Sequence, residues 1–264
     1  MTEQKSCRVS VITVCRNNLE GLKRTYHSVM DQWANDMEWL VVDGNSTDGT
    51  KRWLAACDYD NLRYVSEPSN GVFDAMNKGV RLAKGTWVIF LGAGDVFCDK
   101  HILRKLITQL KEYYEIVAGD TVYFSRYGTR VCRAKPLETV KQGMPFYLQS
   151  VLVQRALLLR HPFVARFDLA ADYEFFYWAV DQHPVDLVMT YPITVVDGRD
   201  QGLEEMAIER ERQYRQIQGR YRGFWNQLSW IGFVARQRLT RALCWLVPRK
   251  VRVDRRTKFY TTND

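Results

Sequence analysis

The sequence predicts an α/β fold with a mostly parallel sheet flanked by helices. Short runs rich in Val, Ile and Leu alternate with helical patterns over the first hundred residues, and clusters of Gly, Asn and Ser separate them. This alternation is typical of strands joined by crossover helices. The chain has 264 residues, of which 46% are hydrophobic, so we expect one large domain with a substantial core.

The first two strand and helix units follow in order along the chain. The alternating run RVSVITVC at 8–15 predicts a strand, and the pair Asn17 and Asn18 starts a helix whose apolar residues recur at three- and four-residue steps. A second apolar run at 38–42 enters the loop DGNSTDG, and 50–56 follows it as a short helix. Each strand is therefore followed by a turn and a helix.

Two further strands complete the first half. LRYVSEP at 62–68 predicts the third strand, and VFDAMNKGVRLAKG predicts a helix that we expect Gly85 to cap at its carboxyl end. TWVIFLGAGD at 86–95 predicts the fourth strand. The same domain is expected to continue with strands at 115–124, 129–134, 146–153 and 193–196, and with short helices at 154–160 and 172–182.

Two carboxylates follow buried strands. Asp43 comes directly after LVV, and Asp95 follows the fourth strand and a pair of glycines. Ligands of parallel sheets bind beyond the carboxyl ends of the strands, which is where both aspartates would lie. Each alone could simply end a strand or cap a helix. Two at equivalent ends, beside glycines that permit close approach, favour a binding site.

The chemistry of such a site suits a nucleotide sugar. The sequence has no GxGxxG and no GxxxxGK[ST], and carboxylates make a poor phosphate cradle because phosphates prefer amides and cations. Carboxylates can accept hydrogen bonds from a nucleobase or from ribose hydroxyls. They can also hold a divalent cation that in turn binds a diphosphate.

Five segments in order resemble the family 2 glycosyltransferases with the GT-A fold: VSVITVCRN, EWLVVDGNSTDGT, SEPSNGVFDAMNKGVRLAKG, WVIFLGAGD and AADYEF. The likeness is greatest to the colanic-acid and exopolysaccharide (WcaE-type) branch and covers nearly the whole chain. VVDGNSTDGT followed by NGVFDAMNKG is its most specific part. The resemblance implies a GT-A catalytic domain over 1–202. It also implies an inverting, hexosyltransferase-type enzyme that moves a sugar from a nucleotide-diphosphate sugar to a lipid-linked glycan in bacterial surface polysaccharide synthesis. A UDP-sugar is the favoured donor, and a GDP-sugar is possible.

The resemblance also implies roles for individual residues. Asp172 corresponds to the general base, and Asp95 corresponds to the ligand of a divalent cation, Mn²⁺ or Mg²⁺. Asp43 would contact the base of the nucleotide. The other residues implied in nucleotide-sugar binding are Thr13, Arg16, Asn17, Asn45, Asp74, Lys78 and Gly94. Asp48 would shape the loop after Asp43 or serve as a helix cap, and Asp172 could likewise be only an N-cap.

Several positions depart from the family pattern. Gly92 and Gly94 stand where many relatives have polar or acidic residues, and Met76 stands where many have Arg. Leu148 replaces a common His, and DGRD at 197–200 replaces GGxS. These changes raise a second hypothesis, a catalytically reduced relative that binds nucleotide sugars and acts as a scaffold in a polysaccharide assembly complex. The presence of both Asp95 and Asp172 favours the enzyme.

The last part of the chain, 203–264, predicts a basic amphipathic helical extension. Residues 201–264 hold 14 Lys and Arg against six Asp and Glu, which accounts for the whole net charge of +8. From Gly223 an apolar stripe carries Trp and is flanked by Arg, but its uncharged part is shorter than the roughly 20 residues that span a bilayer. We expect it to lie on an anionic membrane surface. The alternatives are packing on the catalytic domain and, less well supported, nucleic-acid binding, for which no motif is present.

The cysteines give an expectation for the cellular compartment. The six cysteines lie far apart, without a CxxC pair or a Cys/His cluster, so neither a disulfide framework nor a zinc site is expected. The N-terminal apolar run is too short for a signal peptide. We therefore expect a cytoplasmic protein that associates peripherally with the inner face of the cell membrane.

Overall fold

The computed structural model describes residues 7–32, 36–57, 59, 61–125, 128–182, 186–197 and 206–222. Within these ranges nine strands form one sheet. Their order is β3 (Leu62–Ser66), β2 (Met37–Asp43), β1 (Val9–Cys15), β4 (Trp87–Gly92), β8 (Val151–Gln154), β6 (Ile116–Ser125), β9 (Asp186–Asp197) and β5 (Val96–Phe97), and β7 (Gly128–Cys132) pairs with β6 outside this path. Helices cover both faces of the sheet, so the predicted α/β class is confirmed.

The first half of the sheet is entirely parallel. It consists of β1 (Val9–Cys15), β2 (Met37–Asp43), β3 (Leu62–Ser66) and β4 (Trp87–Gly92). In register, Cys15 pairs with Asp43 and Asp43 with Ser66, while Val14 pairs with Gly92. These strands therefore end level with one another, along one edge of the sheet.

The helices between these strands pack on opposite faces. On one face, α1 (Leu19–Asp31) and α2 (Thr50–Ala56) share an apolar core with the odd-numbered side chains of β1. On the other face, α3 (Val72–Leu82) packs against Ile12 and Val42. This packing is tight, because a Cβ added at Gly79 of α3 would lie 2.6 Å from the Cγ2 atom of Ile12.

The second half of the sheet is mixed. Strand β8 is antiparallel to both β4 and β6, whereas β6 and β9 are parallel. The short strand β5 and the hairpin strand β7 add antiparallel edges. The elements of this half are β5 (Val96–Phe97), α4 (Ile102–Gln109), β6 (Ile116–Ser125), β7 (Gly128–Cys132), β8 (Val151–Gln154), α5 (Arg155–Arg160), α6 (Ala171–Gln182), β9 (Asp186–Asp197) and α7 (Ala207–Arg222), with 3₁₀ helices at Leu137–Gln142 and Leu148–Ser150.

Two local predictions were wrong. Gly85 does not cap α3, which ends at Leu82 with Ala83 as its C-cap. Gly85 instead lies against β1, where its N–H donates to the Ser10 hydroxyl at 2.8 Å and an added Cβ would lie 2.5 Å from the Ser10 nitrogen. The strand predicted at 146–153 is a 3₁₀ helix followed by the shorter β8.

The aromatic helix α6 forms much of the core on the α3 face. Tyr173, Phe175 and Phe176 are fully buried there. Helix α7, which falls in the predicted extension, packs on α6 with Ile217 fully buried. The predicted membrane-surface helix from Gly223 onwards lies outside the described residues. Among the helices of the described ranges, none combines the length and the apolarity needed to cross a bilayer.

Candidate active site

Asp43 ends β2 and is fully buried at the carboxyl edge of the sheet. Its Oδ2 accepts a 2.7 Å hydrogen bond from the hydroxyl of Ser66, its register partner on β3. Both the amide and the hydroxyl of Ser46 donate to the same carboxylate. These donors fix the orientation of the carboxylate at the end of β2.

The loop after β1 connects the loops that follow β2 and β4. On the β2 side, Asn17 Oδ1 accepts from the Thr47 amide at 2.8 Å, and the Asn17 amide donates to the Ser46 hydroxyl at 2.7 Å. On the β4 side, Asn18 Nδ2 donates to the Ala93 carbonyl at 2.9 Å. Asn17 has a φ of 51°, a left-handed conformation that Asn tolerates better than most residues. The three loops therefore form one connected rim.

Three other predicted residues lie around this rim in different settings. Arg16 and Asn45 are exposed, and the Arg16 side chain passes within 3.4 Å of the Cβ position of Gly44. Thr13 is fully buried on the α1 face, where its hydroxyl accepts from the Trp39 indole at 2.9 Å. The side chain of Thr13 thus supports the packing of β1 on β2.

Asp48 has the geometry of a helix cap. Its Oδ1 accepts from the amide and hydroxyl of Thr50, the first residue of α2, and its Oδ2 accepts from the Leu19 amide at the start of α1. Although its slight burial favours the protonated form, the hydrogen bonds from Thr50 and Leu19 lower the pKa of Asp48. Asp48 therefore ties two helix N-termini together, which is where a negative charge is stabilised.

Asp95 closes a tight turn after β4. Its Oδ2 accepts from the Gly92 amide at 2.9 Å, and Gly94 occupies a positive φ of 111° in the same turn. The fully buried hydroxyl of Thr25 on α1 accepts from the Gly94 amide at 2.9 Å and donates to the Asp95 carbonyl at 2.8 Å. Because a Cβ at Gly92 would approach the Asp95 Oδ2 to 2.9 Å, the glycine leaves room for this carboxylate.

Asp95 fits as one ligand of a cation that a nucleotide diphosphate also holds. Mg²⁺ at such sites takes one or two carboxylates, with the remaining positions filled by phosphate oxygens and water. Gly92 and Gly94 supply no side-chain oxygen, and among the described residues no group of three His, Cys, Asp or Glu side chains could hold a metal ion. Within the described part of the chain, the predicted site therefore offers the Asp95 carboxylate, which the Gly92 amide holds in its turn.

Helix α3 carries two more predicted residues. Asp74, in the first turn of α3, accepts from the Asn70 amide at 2.9 Å in the loop before the helix, while Lys78 forms an ion pair with Glu67. Between them, Asn77 forms two hydrogen bonds with the backbone of Phe163. Its Nδ2 donates to the Phe163 carbonyl at 2.8 Å, and its Oδ1 accepts from the Phe163 amide at 2.9 Å. Part of the DAMNKG motif thus secures the loop that leads towards α6.

Asp172 lies in the first turn of α6, on the α3 face of the sheet, and is partly accessible. Its Oδ1 accepts from the Tyr173 amide at 2.8 Å. Burial among protein atoms raises the pKa of this carboxyl to about 6, against the lowering effect of the Tyr173 amide and of the positive charge of Arg210 on α7. A carboxyl with such a pKa can both accept and release a proton near neutral pH.

The structure brings Asp43 and Asp95 to one rim, because β1 alone separates their strands and adjacent strands lie about 5 Å apart. Asp172 lies on a different element, in the first turn of α6. Of the departures from the family pattern, Met76 and Leu148 are buried in the core. Residues 198–200 of DGRD lie outside the described residues.

The sequence reasoning missed residues that support the site. Ser66 could have been found, since parallel register places the end of β3 beside the end of β2. Thr25 gave only a weak signal, a hydroxyl within a helix. Tyr214 on α7 gave no signal in the sequence. It stacks on Tyr173 with the ring centroids 4.0 Å apart, and no local sequence pattern predicts a contact between residues so far apart in the chain.

Comparison with known proteins supports this assignment of the fold. A mannosyltransferase of Pyrobaculum calidifontis, solved in complex with GDP-Man and Mn²⁺, superposes with a TM-score of 0.62 at 21% identity, covering 80% of this chain and 62% of that one. Staphylococcus aureus TarS 1–349, solved with UDP, superposes with a TM-score of 0.61 at 18% identity, covering 81% and 70%. At these identities the likeness shows the fold alone, an α/β GT-A-like fold.

Sequence relatives give the family. An uncharacterized glycosyltransferase of Mycobacterium tuberculosis (strain CDC 1551 / Oshkosh) is 31% identical over 151 residues, covering 57% of this chain and 55% of the relative, so the chain spans about half of that protein's length. A PGL/p-HBAD biosynthesis glycosyltransferase of Mycobacterium bovis (strain BCG / Pasteur 1173P2) is 30% identical over 175 residues, covering 63% and 67%. Both are mycobacterial, so the predicted colanic-acid branch is not confirmed. The model of glycosyl transferase family 2 matches residues 10–171, more than half of the chain, and the chain therefore belongs to that family.

Proposed function

We propose that this chain is an inverting glycosyltransferase that moves a sugar from a nucleotide-diphosphate sugar to a glycan acceptor. One observation carries the proposal. Within the segment that matches the family, Asp43 ends β2 and Asp95 lies in the turn after β4, and the β1–α1 loop ties both strand ends into one rim. The spacing of about 10 Å across β1 suits a nucleoside at one end and its diphosphate at the other.

The donor side of the site is assigned to the rim. Asp43 and Asn17 would face the nucleoside, with Arg16 and Asn45 exposed beside it. A UDP-sugar is the favoured donor and a GDP-sugar the alternative, since similar folds have been solved with UDP and with GDP-Man. Lys78 is part of a pair with Glu67, so it could offset diphosphate charge only by exchanging that partner.

Asp172 supplies the base in this proposal. Its carboxylate takes the proton from an acceptor hydroxyl while that oxygen forms a bond to the anomeric carbon. The bond from that carbon to the diphosphate breaks on the opposite face, so the configuration inverts and the nucleoside diphosphate leaves with the electron pair. Positioning of the acceptor in line with the leaving group supplies much of the effect, because a carboxylate is a weak base.

The remaining finer assignments are also part of the proposal. A divalent cation held by Asp95 would offset the negative charge of the departing diphosphate. The acceptor is proposed to be a lipid-linked glycan of a bacterial surface polysaccharide, reached from the inner face of the membrane. Support for that location is the basic, Trp-bearing sequence from Gly223 onwards.

The test is an assay of nucleoside diphosphate release from UDP- and GDP-sugars, with lipid-diphosphate acceptors, with and without Mn²⁺. The full chain is compared with Asp172→Asn and with Asp181→Asn, a matched control on the exposed end of α6, where Asp181 pairs with Lys141. We expect acceptor-dependent release that falls at least 100-fold in Asp172→Asn only. Donor binding without release in the wild-type chain would instead support the scaffold hypothesis.

A further inference from the structure

Helix α7 is fixed against the start of α6 by specific polar contacts. Gln213 accepts from the Leu169 amide at 3.1 Å and donates to Asp168 at 2.6 Å. Gln218 donates to the Tyr173 hydroxyl at 2.8 Å, and that hydroxyl donates to the Val140 carbonyl at 2.8 Å. The position of α7 is therefore defined relative to the loop and first turn that carry Asp172.

The register of α7 directs one basic residue towards this turn. Tyr214 stacks on Tyr173 with ring planes 24° apart, so the face of α7 that carries Tyr214 and Gln218 meets α6. Arg210 precedes Tyr214 by four residues and lies on the same face. Arg212, two residues on, points elsewhere, since it is 65% exposed and lies near Glu209.

Electrostatic contacts agree with this placement. The charge of Arg210 acts on Asp172 and also on Tyr214, and burial together with the charge of Asp172 raises the pKa of the Tyr214 phenol. These charge effects agree with the docking of α7, which carries Arg210 on the face that meets the start of α6. The other charged groups around the start of α6 have partners of their own: Asp168 with Gln213, Glu211 with Arg215, and Lys141 of the 3₁₀ helix with Asp181, while Glu138 of that helix is exposed.

We propose that Arg210 is a positioning residue, whose guanidinium keeps the carboxylate of Asp172 ionised and oriented for proton transfer. This inference rests on the base role proposed above for Asp172. The family match ends at residue 171, so α7 lies beyond it. It follows that the start of the predicted membrane extension belongs to the catalytic unit.

The sign of the effect follows from charge. Removing the positive charge destabilises the ionised carboxylate, so Asp172 takes up its proton at a higher pH. At any pH near the midpoint, a smaller fraction of the enzyme then has a functional base. Lysine at this position keeps the positive charge but lacks the planar guanidinium and its several N–H donors. Arg210→Lys should therefore restore the protonation equilibrium of Asp172 more fully than the orientation of its carboxylate.

The experiment uses the full chain as wild type, Arg210→Gln, Arg210→Lys and the matched control Arg212→Gln. Two quantities are followed against pH: kcat/KM for nucleoside diphosphate release, and the ¹³C chemical shift of the Asp172 carboxyl, assigned with Asp172→Asn. For Arg210→Gln we expect both midpoints to rise by about one pH unit and kcat/KM at pH 6 to fall about fivefold, with donor KM unchanged. Arg210→Lys should restore most of the midpoint, and Arg212→Gln should match the wild type.

An unchanged carboxyl midpoint in Arg210→Gln, or Arg210→Lys as impaired as Arg210→Gln in both readouts, would overturn the inference. The carboxyl titration needs no turnover. If the wild-type chain releases no nucleoside diphosphate at any pH, the functional proposal fails, while the ¹³C titration still decides whether Arg210 controls Asp172. Thermal melting of each variant shows that it is folded, and if Arg210→Gln does not fold, Arg210→Met, which keeps the aliphatic stem without the charge, takes its place.

Discussion

At the scale of single residues, the candidate site depends on buried polar groups that the backbone and neighbouring hydroxyls satisfy. Thr25, Asp43 and Asp95 are each at most 1% exposed, and all three hydrogen-bond to loops at the carboxyl edge of the sheet. A buried polar group that loses its partner costs about 1–3 kcal/mol. Small substitutions here should therefore affect both stability and ligand binding.

Thr25→Val tests the support of the Asp95 turn. The valine removes the hydroxyl that satisfies the Gly94 amide and the Asp95 carbonyl, so we expect the free energy of unfolding to fall by about 1–3 kcal/mol and binding of Mn²⁺ with a nucleoside diphosphate to weaken. Urea denaturation and calorimetric titration measure the two effects. Thr25→Ser keeps the hydroxyl and should retain binding. Equal binding by the valine and serine variants would show that the hydroxyl does not support the site.

Asp172 should impose a pH dependence on stability with a definite sign. Its pKa rises from an ordinary 3.8 to about 6 in the folded state, so the folded protein favours the protonated carboxyl. That contribution is fully present below about pH 4 and is lost as the pH rises through about 6. We expect Asp172→Asn, which cannot ionise, to be more stable than the wild type by about 1–3 kcal/mol at pH 8, with the difference vanishing near pH 4.

Urea denaturation at pH 4, 6 and 8 measures this difference. Asp181→Asn, on the same helix but paired at the surface, should show no comparable gain at pH 8. If Asp172→Asn proved less stable than the wild type at pH 8, the assigned pKa direction would be wrong. Wild-type activity should fall on the acid side of about pH 6, because the base must be ionised.

At the scale of elements, the sequence predicted the parts that local patterns define. The β1–α1, β2–α2 and β3–α3 units follow from alternation and helical spacing, and Asn18 is the N-cap of α1 as its position suggested. Tertiary contacts decided the elements that were missed. Gly85 serves close approach to β1 instead of capping α3, and residues 148–150 turn as a 3₁₀ helix where an apolar run predicted a strand.

The packing of α3 on the sheet gives an element-scale prediction. Gly79→Ala forces a methyl group to within 2.6 Å of Ile12, so we expect a loss of about 1–3 kcal/mol in the free energy of unfolding. Gly219→Ala in α7 is the matched control, because its Cβ position has nothing within 4 Å and alanine favours a helix by about 0.8–1 kcal/mol over glycine. The midpoints of thermal and urea denaturation should therefore fall for Gly79→Ala and rise for Gly219→Ala. A neutral Gly79→Ala would contradict the close approach.

At the scale of the whole molecule, the candidate site was predictable where it depends on topology. Parallel strands end at one edge, so Asp43 and Asp95 could be placed together from the sequence. The relation of Asp172 to Arg210 could not be foreseen, because it depends on how α7 docks on α6 across the intervening strand β9. Helix α7 lies beyond the predicted division at residue 202 and docks on α6, which buries Ile217.

The proposed membrane role of the extension is tested by comparing the full chain with one that ends at Arg222, which keeps α7. We expect only the full chain to sediment with vesicles that contain phosphatidylglycerol, and raised salt should release it, because the basic residues act through screened charges. Vesicles of phosphatidylcholine alone are the control. Equal sedimentation of the two chains would place the membrane contact elsewhere or exclude it.

Calorimetric titration of UDP and GDP, with and without Mn²⁺, tests whether one crevice binds a nucleoside diphosphate at Asp43 and Asp95, as we propose. The Asp95→Asn variant can still accept the hydrogen bond from Gly92, so its turn should persist. We expect the wild type to bind one nucleotide with an affinity that falls at least tenfold without Mn²⁺, and Asp95→Asn to lose that dependence. Binding of neither nucleotide would exclude such a crevice, and the same Mn²⁺ dependence in Asp95→Asn would exclude Asp95 as the metal ligand.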